Sequence, residues 1–324
     1  MKQPILVLGA NGFIGREVVA GLASTDWATP ILAVRKPSVN RNDLEYRTVD
    51  ATRVESVSAA MQGVTGIVNC VAGDATTIVS ASKALVAAAE RMNSALRIIH
   101  LSTMSVYGSA VGRVEETAPL RGDLGPYSAA KVAAEATIAA YPHAVMFRPG
   151  CVFGPGSEQW SIRIARLLLA RRLGDLGAAG DGFCNLVHVG DVVLAILRAL
   201  ENPGVEGRVF NLSTPEPPTW NEFLVKYGTA LNAVPIRRLS RRRLRIEGKL
   251  LAPPLKVAEI FWRACKLNAA QLPPPIPPSL IRLMGQEIRL DTRRAEAELG
   301  LRFRDIDAAL GATARWFLGS EFAR

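Results

Sequence analysis

Two groups of residues in this chain have the types and spacing to do chemistry. In Tyr127-Ser128-Ala129-Ala130-Lys131 a phenol stands four positions before an ammonium, a separation that puts both on one face of a helix. Tyrosine with an ordinary pKa of about 10 is a poor base at neutral pH. A neighbouring ammonium stabilises the phenolate and lowers that value, which makes the phenol a usable acid or base for an alcohol/carbonyl pair. The second group is Gly9-Ala10-Asn11-Gly12-Phe13-Ile14-Gly15. Gly9 permits a tight turn, Gly12 lets a pyrophosphate approach the backbone, and Gly15 lets the following helix pack closely on the strand. The free N–H groups and partial positive charge of a helix N-terminus then attract phosphate. The spacing is G-x-x-G-x-x-G, distinct from the general dinucleotide fingerprint.

Both groups need a scaffold. Ile5–Leu8 is an apolar run that ends in glycine, the pattern of a buried parallel strand, and a helix to about Ala23 follows it. Strands are expected at 31–34, 44–49, 67–71, 98–101 and 145–147, with helices at 54–61 and 77–91 and from Tyr127 onward. Alternating strands and helices require right-handed crossovers, hence a parallel sheet with helices on both faces. Such sheets bind ligands at the carboxyl ends of their strands. The informative residues lie there, after Leu8, Val34, Val71 and Leu101. At the end of the second strand an acid would bond the ribose hydroxyls of NAD, whereas an arginine accommodates the 2′-phosphate of NADP. The chain reads Val34-Arg35-Lys36, with Arg16 directly after the third glycine. The expected cofactor is NADP, with NAD the alternative.

Taken in order, GANGFIG, LSTMSVYG at Leu101–Gly108, YSAAK, RPGCVFGPG at Arg148–Gly156, LVHVGDV at Leu186–Val192 and VFNLST at Val209–Thr214 resemble the extended short-chain dehydrogenase/reductases, also called the NAD-dependent epimerase/dehydratase family. The resemblance covers about residues 1–230. It implies an α/β fold, a Rossmann-type doubly wound parallel sheet with a smaller, mainly helical C-terminal substrate lobe. The expected division is 1–155 with about 181–213 for the dinucleotide, and about 156–180 with 214–324 for the substrate. It implies Thr103 as the hydroxyl that orients the reacting oxygen, with Ser102 as fallback and Ser105 less favoured, beside Tyr127 and Lys131 as the catalytic pair. It further implies cofactor contacts from the glycine turn, Asn11, Phe13, Ile14 and Arg16 included, from Arg35 and Lys36, and from Asp50 and Ala51 near the adenine. Val71, Ala72 and Gly73 would lie along the cofactor backbone, Lys131 would also hold the nicotinamide ribose, and Tyr127 and Pro149 would be further cofactor contacts.

Two departures bear on the substrate. Ile78 and Ser80 stand where the family often has a helix asparagine, and Cys151 stands where nucleotide-sugar members often carry one. The expected reaction is hydride transfer between NADP(H) and a secondary alcohol or ketone, on the sterol-dehydrogenase and flavonol-reductase side of the family. A nucleotide-sugar epimerase or dehydratase that recycles its hydride is the alternative, and a non-catalytic, NADP-bound sensor or scaffold is a third reading. His188 reads as a packing histidine and Asp191 as a helix N-cap.

Composition sets the remaining bounds. Half the residues are hydrophobic (49%) and a fifth charged (21%), the balance of a globular protein. The four cysteines have no metal-ligand spacing and are expected as reduced thiols. The N-terminus lacks a signal-peptide pattern, so a cytoplasmic enzyme is expected, with a small-molecule substrate, no metal and no nucleic-acid partner; a homodimer is compatible. Net charge is +10, yet Arg237–Lys266 alone holds ten Lys/Arg against Glu247 and Glu259. The charge therefore describes one segment and no general affinity for polyanions. Within that segment Leu255, Ala258, Trp262 and Cys265 form one helical apolar stripe. The first reading is a solvated arginine face without tight membrane association; an amphipathic lid on anionic membrane and a basic pocket for a phosphorylated substrate are the others.

Overall fold

In the computed structural model, residues 2–35, 44–92, 95–265 and 274–323 are described; Lys36 and the end of the basic segment at Lys266 lie outside them. The chain begins β1 (Gln3–Leu8), α1 (Phe13–Ala23), β2 (Ala28–Val34), β3 (Tyr46–Thr48), α2 (Val54–Ala60), β4 (Gly66–Asn69), α3 (Ala75–Arg91) and β5 (Arg97–Leu101). After a 3-10 turn at Met104–Tyr107 come β6 (Gly112–Val114), α4 (Pro126–Ala139), β7 (Ala144–Pro149) and β8 (Cys151–Phe153). Next are α5 (Arg163–Leu169), β9 (Leu186–His188), α6 (Val189–Glu201), β10 (Val209–Leu212) and α7 (Trp220–Ala230). The last part holds α8 (Arg241–Ile246), α9 (Ala252–Ala264), α10 (Pro278–Met284), β11 (Ile288–Leu290), α11 (Arg293–Leu299) and α12 (Ile306–Leu318).

Seven strands form one parallel sheet in the order β10-β7-β5-β4-β1-β2-β3. The order reverses direction between β1 and β4, and there the strand ends open a crevice. Ile5, Leu6, Val7 and Leu8 are all buried, as a strand covered on both faces requires. One face packs under α1 and α6 through Val18, Leu22, Val192 and Ile196. The other packs under α2 and α3 through Val57, Leu85 and Ala88. Alanines bring α3 and α4 close, with Ile78 between them against Ala130 and Ala134. The apolar Ile78 thus fills the helix interface.

A second core joins α5, α7, α10 and α12 around Trp220, Phe223, Tyr227 and Phe317. Two short parallel pairs, β8 with β9 and β6 with β11, stitch this part to the sheet. Residues 158–169 form a π turn at Glu158–Ile162 followed by α5. The Ser157 hydroxyl accepts from Trp160 N at 3.4 Å and Ser161 donates to Gly154 O at 2.9 Å, bonds that hold the widened turn.

Candidate active site

The glycine turn is built by close approach. Gly9 has φ +76°, and a Cβ there would lie 2.8 Å from Cys70 O; a Cβ at Gly15 would lie 2.2 Å from Gly9 O. Only glycine fits either place, which seats α1 directly on the turn. Gly12 is the N-cap of α1 and supplies no side-chain cap, and the first helical turn carries no acid. The helix therefore presents uncompensated positive charge to a cleft lined by Gly12, Phe13, Ile14 and Gly15. Asn11 and Arg16 are exposed beside it. Arg35 follows β2 directly and is exposed. Its charge reaches Asp50, whose carboxyl is held low first by hydrogen bonds from Thr52 and then by Arg53 and Arg35. Ala51 is half-buried beside Asp50. Across the crevice Val71 N donates to Asn69 Oδ1 at 3.1 Å, Ala72 and Pro149 line the cleft, and Gly73 is exposed against Thr77.

The polar set lies next to this turn. Thr103, two residues past β5, caps the 3-10 turn, and its Oγ1 accepts from Ser105 N at 3.2 Å. Gly125 at φ 123° and Pro126 at the first helical position start α4, a placement that suits proline's fixed φ and missing N–H. Tyr127 follows, 48% exposed, and lines the cleft together with Thr103. Burial of the ring's surroundings raises the Tyr127 pKa, and Thr103 opposes that rise. The phenol is therefore protonated at neutral pH. One turn further Lys131 is only 4% exposed, and its Nζ donates to Leu101 O at 2.8 Å. Burial lowers its pKa to about 8, while the neighbouring Cys70 and Glu135 act to raise it. Burial pushes the Cys70 thiol up to about 12, against the opposing pull of Lys131. His100, buried one position before Leu101, is held at about 3 by burial and by Lys131.

A buried ion pair fixes these parts. Arg148 on β7 binds Glu135 of α4 at 2.7 Å, and donates to the Tyr107 hydroxyl at 2.9 Å and to Glu116 O at 2.8 Å. Tyr107 in turn donates to Asn211 on β10 at 2.6 Å. Helix, two strand ends and the 3-10 turn are thus pinned together, and the Thr103–Tyr127 register with them. Ser128 adds a bond from its hydroxyl to Ser105 O at 2.7 Å.

The cleft as a whole, from the glycine turn past Tyr127 to α10, has a volume of about 690 Å³. Met104, Leu124, Trp160, Leu280, Leu283 and Ile288 give it an apolar wall; Arg163, Arg282 and Gln286 are among its polar residues. Cys151 also lines it, and Ser102 and Ser105 lie near Thr103. Sequence reasoning missed Arg163, Arg282, Gln286 and the α10 leucines, since no motif marks them. His188 caps α6 by accepting from Gly190 N at 3.0 Å, the packing role expected. Asp191 is not the N-cap expected: it lies within α6 and accepts from Arg304 at 2.8 Å.

A glycine turn at the switch point of a parallel sheet, with a threonine, a tyrosine and a lysine gathered beside it, defines a short-chain dehydrogenase/reductase enzyme of the extended kind. The model of the NAD-dependent epimerase/dehydratase family matches residues 5–213, and the chain belongs to that family. No curated protein matches it. Among solved structures it is similar to a dTDP-glucose 4,6-dehydratase from Bacillus anthracis in complex with NAD, at 20% identity over 98% of this chain and 97% of that one (TM-score 0.74). It is also similar to the UDP-glucose 4-epimerase of Thermotoga maritima with UDP-glucose, at 20% identity over 97% and 98% (TM-score 0.72). A third is MoeE5 in complex with UDP-glucuronic acid and NAD, at 20% identity over 97% and 98% (TM-score 0.71). At these identities the likeness is one of fold.

Proposed function

We propose that this enzyme transfers hydride between NADP(H) and a secondary alcohol or ketone on a largely apolar substrate. The observation that carries the reading is that Tyr127 and Thr103 line one apolar-walled cavity together, next to the glycine turn. In this reading Gly12–Gly15 hold the pyrophosphate and Arg35 the 2′-phosphate. Asp50 and Ala51 lie toward the adenine, Val71–Gly73 along the cofactor backbone, and Pro149 is a further contact. Residues 1–155 and about 181–213 carry the dinucleotide; about 156–180 and 214–324 carry the substrate. When bound, the nicotinamide supplies or accepts the hydride at the carbinol carbon. Thr103 orients the substrate oxygen. Tyr127 gives its proton to that oxygen during reduction and recovers one from solvent through its exposed side; oxidation runs the same transfer backward. Lys131 supplies positive charge beneath, which stabilises the phenolate left after proton donation.

A nucleotide-sugar epimerase or dehydratase is the second reading, favoured by Arg163 and Arg282 in the cavity wall, which have the charge to meet a diphosphate. Solved structures similar to this chain hold UDP-sugars. A panel of ketones, secondary alcohols and nucleotide sugars, followed by nicotinamide absorbance with each cofactor, separates the two. Net cofactor turnover on apolar ketones supports the first. Sugar conversion without net turnover replaces it with the second. Tyr127→Phe should bind NADP normally and lower kcat by about 10²–10⁴-fold, the usual worth of a positioned acid; near-normal turnover would remove Tyr127 from the mechanism.

A further inference from the structure

The basic segment carries two apolar faces. Leu255, Ala258 and Trp262, three members of the stripe legible in the sequence, are half-buried. A second face of α9, Val257, Ile260 and Phe261, is 67%, 59% and 60% exposed, and Leu250 just before α9 is 67% exposed. Positions i, i+3 and i+4 share one side of a helix, so these residues form a crest. A surface helix needs only one apolar side; the second is left for a partner. Around the approach to this crest, Arg241, Arg242, Arg245 and Lys249 are exposed, and none has a carboxylate at ion-pair distance among the described residues. Glu247, the single acid between Arg237 and Lys249, is buried and paired with Arg172.

We propose that this crest docks on the surface of a membrane rich in anionic phospholipid, with Leu250, Val257, Ile260 and Phe261 below the headgroups and the arginines among the phosphates. Charge decides the occupant. A second copy seated on the same face would oppose its own arginine cluster, whereas an anionic bilayer complements it and accepts apolar side chains beneath. Among the described residues no helix is long and apolar enough to cross a membrane, so the contact is peripheral. Its position matters to the enzyme: a Cβ at Gly248 would come within 2.7 Å of Ile281 Cδ1 on α10, and Leu280, Arg282 and Leu283 of that helix line the cavity. The docking segment therefore packs on the back of the substrate wall. The inference does not depend on which substrate the cavity takes.

Co-sedimentation of the full chain with phosphatidylcholine vesicles, with and without phosphatidylglycerol, tests this. Binding is expected to require phosphatidylglycerol and to weaken as salt is raised from about 0.1 M to about 1 M, because the screening length shrinks from about 10 Å to about 3 Å. The double variant L250S/F261S is expected to lose about tenfold or more in partitioning, the worth of withdrawing two large apolar side chains from the bilayer. Its affinity for NADP and its turnover of a water-soluble ketone should stay unchanged, and these readouts keep a failure here distinct from a failure of the proposed reaction. Wild-type protein that stays in the supernatant with phosphatidylglycerol vesicles at low salt overturns the proposal. So does equal binding to both vesicle types, or a dimer in sedimentation velocity that L250S/F261S dissolves. The headgroup and salt dependence are read on the wild type, so the test survives a variant that misfolds.

Discussion

At Lys131 burial and chemistry pull against each other. The ammonium is held at Leu101 O yet deprotonates near pH 8. If its charge supports Tyr127, kcat/KM should fall as pH rises through about 8. Lys131→Arg should move that falling limb upward, because a guanidinium stays charged; a limb unchanged in the variant would assign it to another group. Stability carries the opposite sign. The folded pKa of about 8 lies below the ordinary 10.5, so the unfolded chain holds the extra proton between them and stability rises with pH across that window. The proposed preference for NADP rests on one residue. Arg35→Asp should weaken NADP far more than NAD in fluorescence titrations; equal curves for both cofactors in the wild type would remove the 2′-phosphate assignment. The Tyr127–Lys131 pair was legible because i, i+4 spacing needs nothing but a helix to bring it together. The lowered lysine pKa was not, since it arises from burial, and the elements that cover Lys131 come from distant parts of the chain.

Elements with long, regular patterns could be read directly. β1, α1 and α3 lie close to where periodicity puts them, because an apolar strand between two helical layers leaves a strong imprint. β6, β8, β9 and β11 are three residues each, too short for any period. The α10 wall was illegible for another reason. Its seven residues follow a proline run, and their place beside the active site is made by pairings such as Gln286 Nε2 to Gly108 O, 178 positions apart. Between elements, the Arg148–Glu135 pair is the critical joint. Both side chains are nearly wholly buried, so Glu135→Gln leaves an uncompensated guanidinium, at a cost of about 3–5 kcal/mol. A clear drop in melting temperature by calorimetry, with reduced kcat as α4 loosens, is expected. An unchanged melting temperature would mean that water had replaced the carboxylate.

Over the whole molecule, the cleft is assembled from both ends of the chain, from Gly12 to Ile288. The last elements return to the first: α11 sends Ala295 and Leu299 into the sheet core, and α12 sends Leu310 and Phe317 into the core beneath α7. Asn185 bonds both Ile288 O and Leu290 N at 2.8 Å, and Arg113 meets Asp291 at 2.7 Å. Given these contacts between β11, its flanking helices and the rest, the docking of the C-terminal part is expected to survive a break in the chain between α9 and α10. The gene could then be divided there. Two polypeptides ending at 265 and starting at 274, produced separately and mixed, should reassemble and regain turnover, with a rate of recovery that depends on their concentrations. Neither piece alone should be active, because each holds only part of the cavity wall.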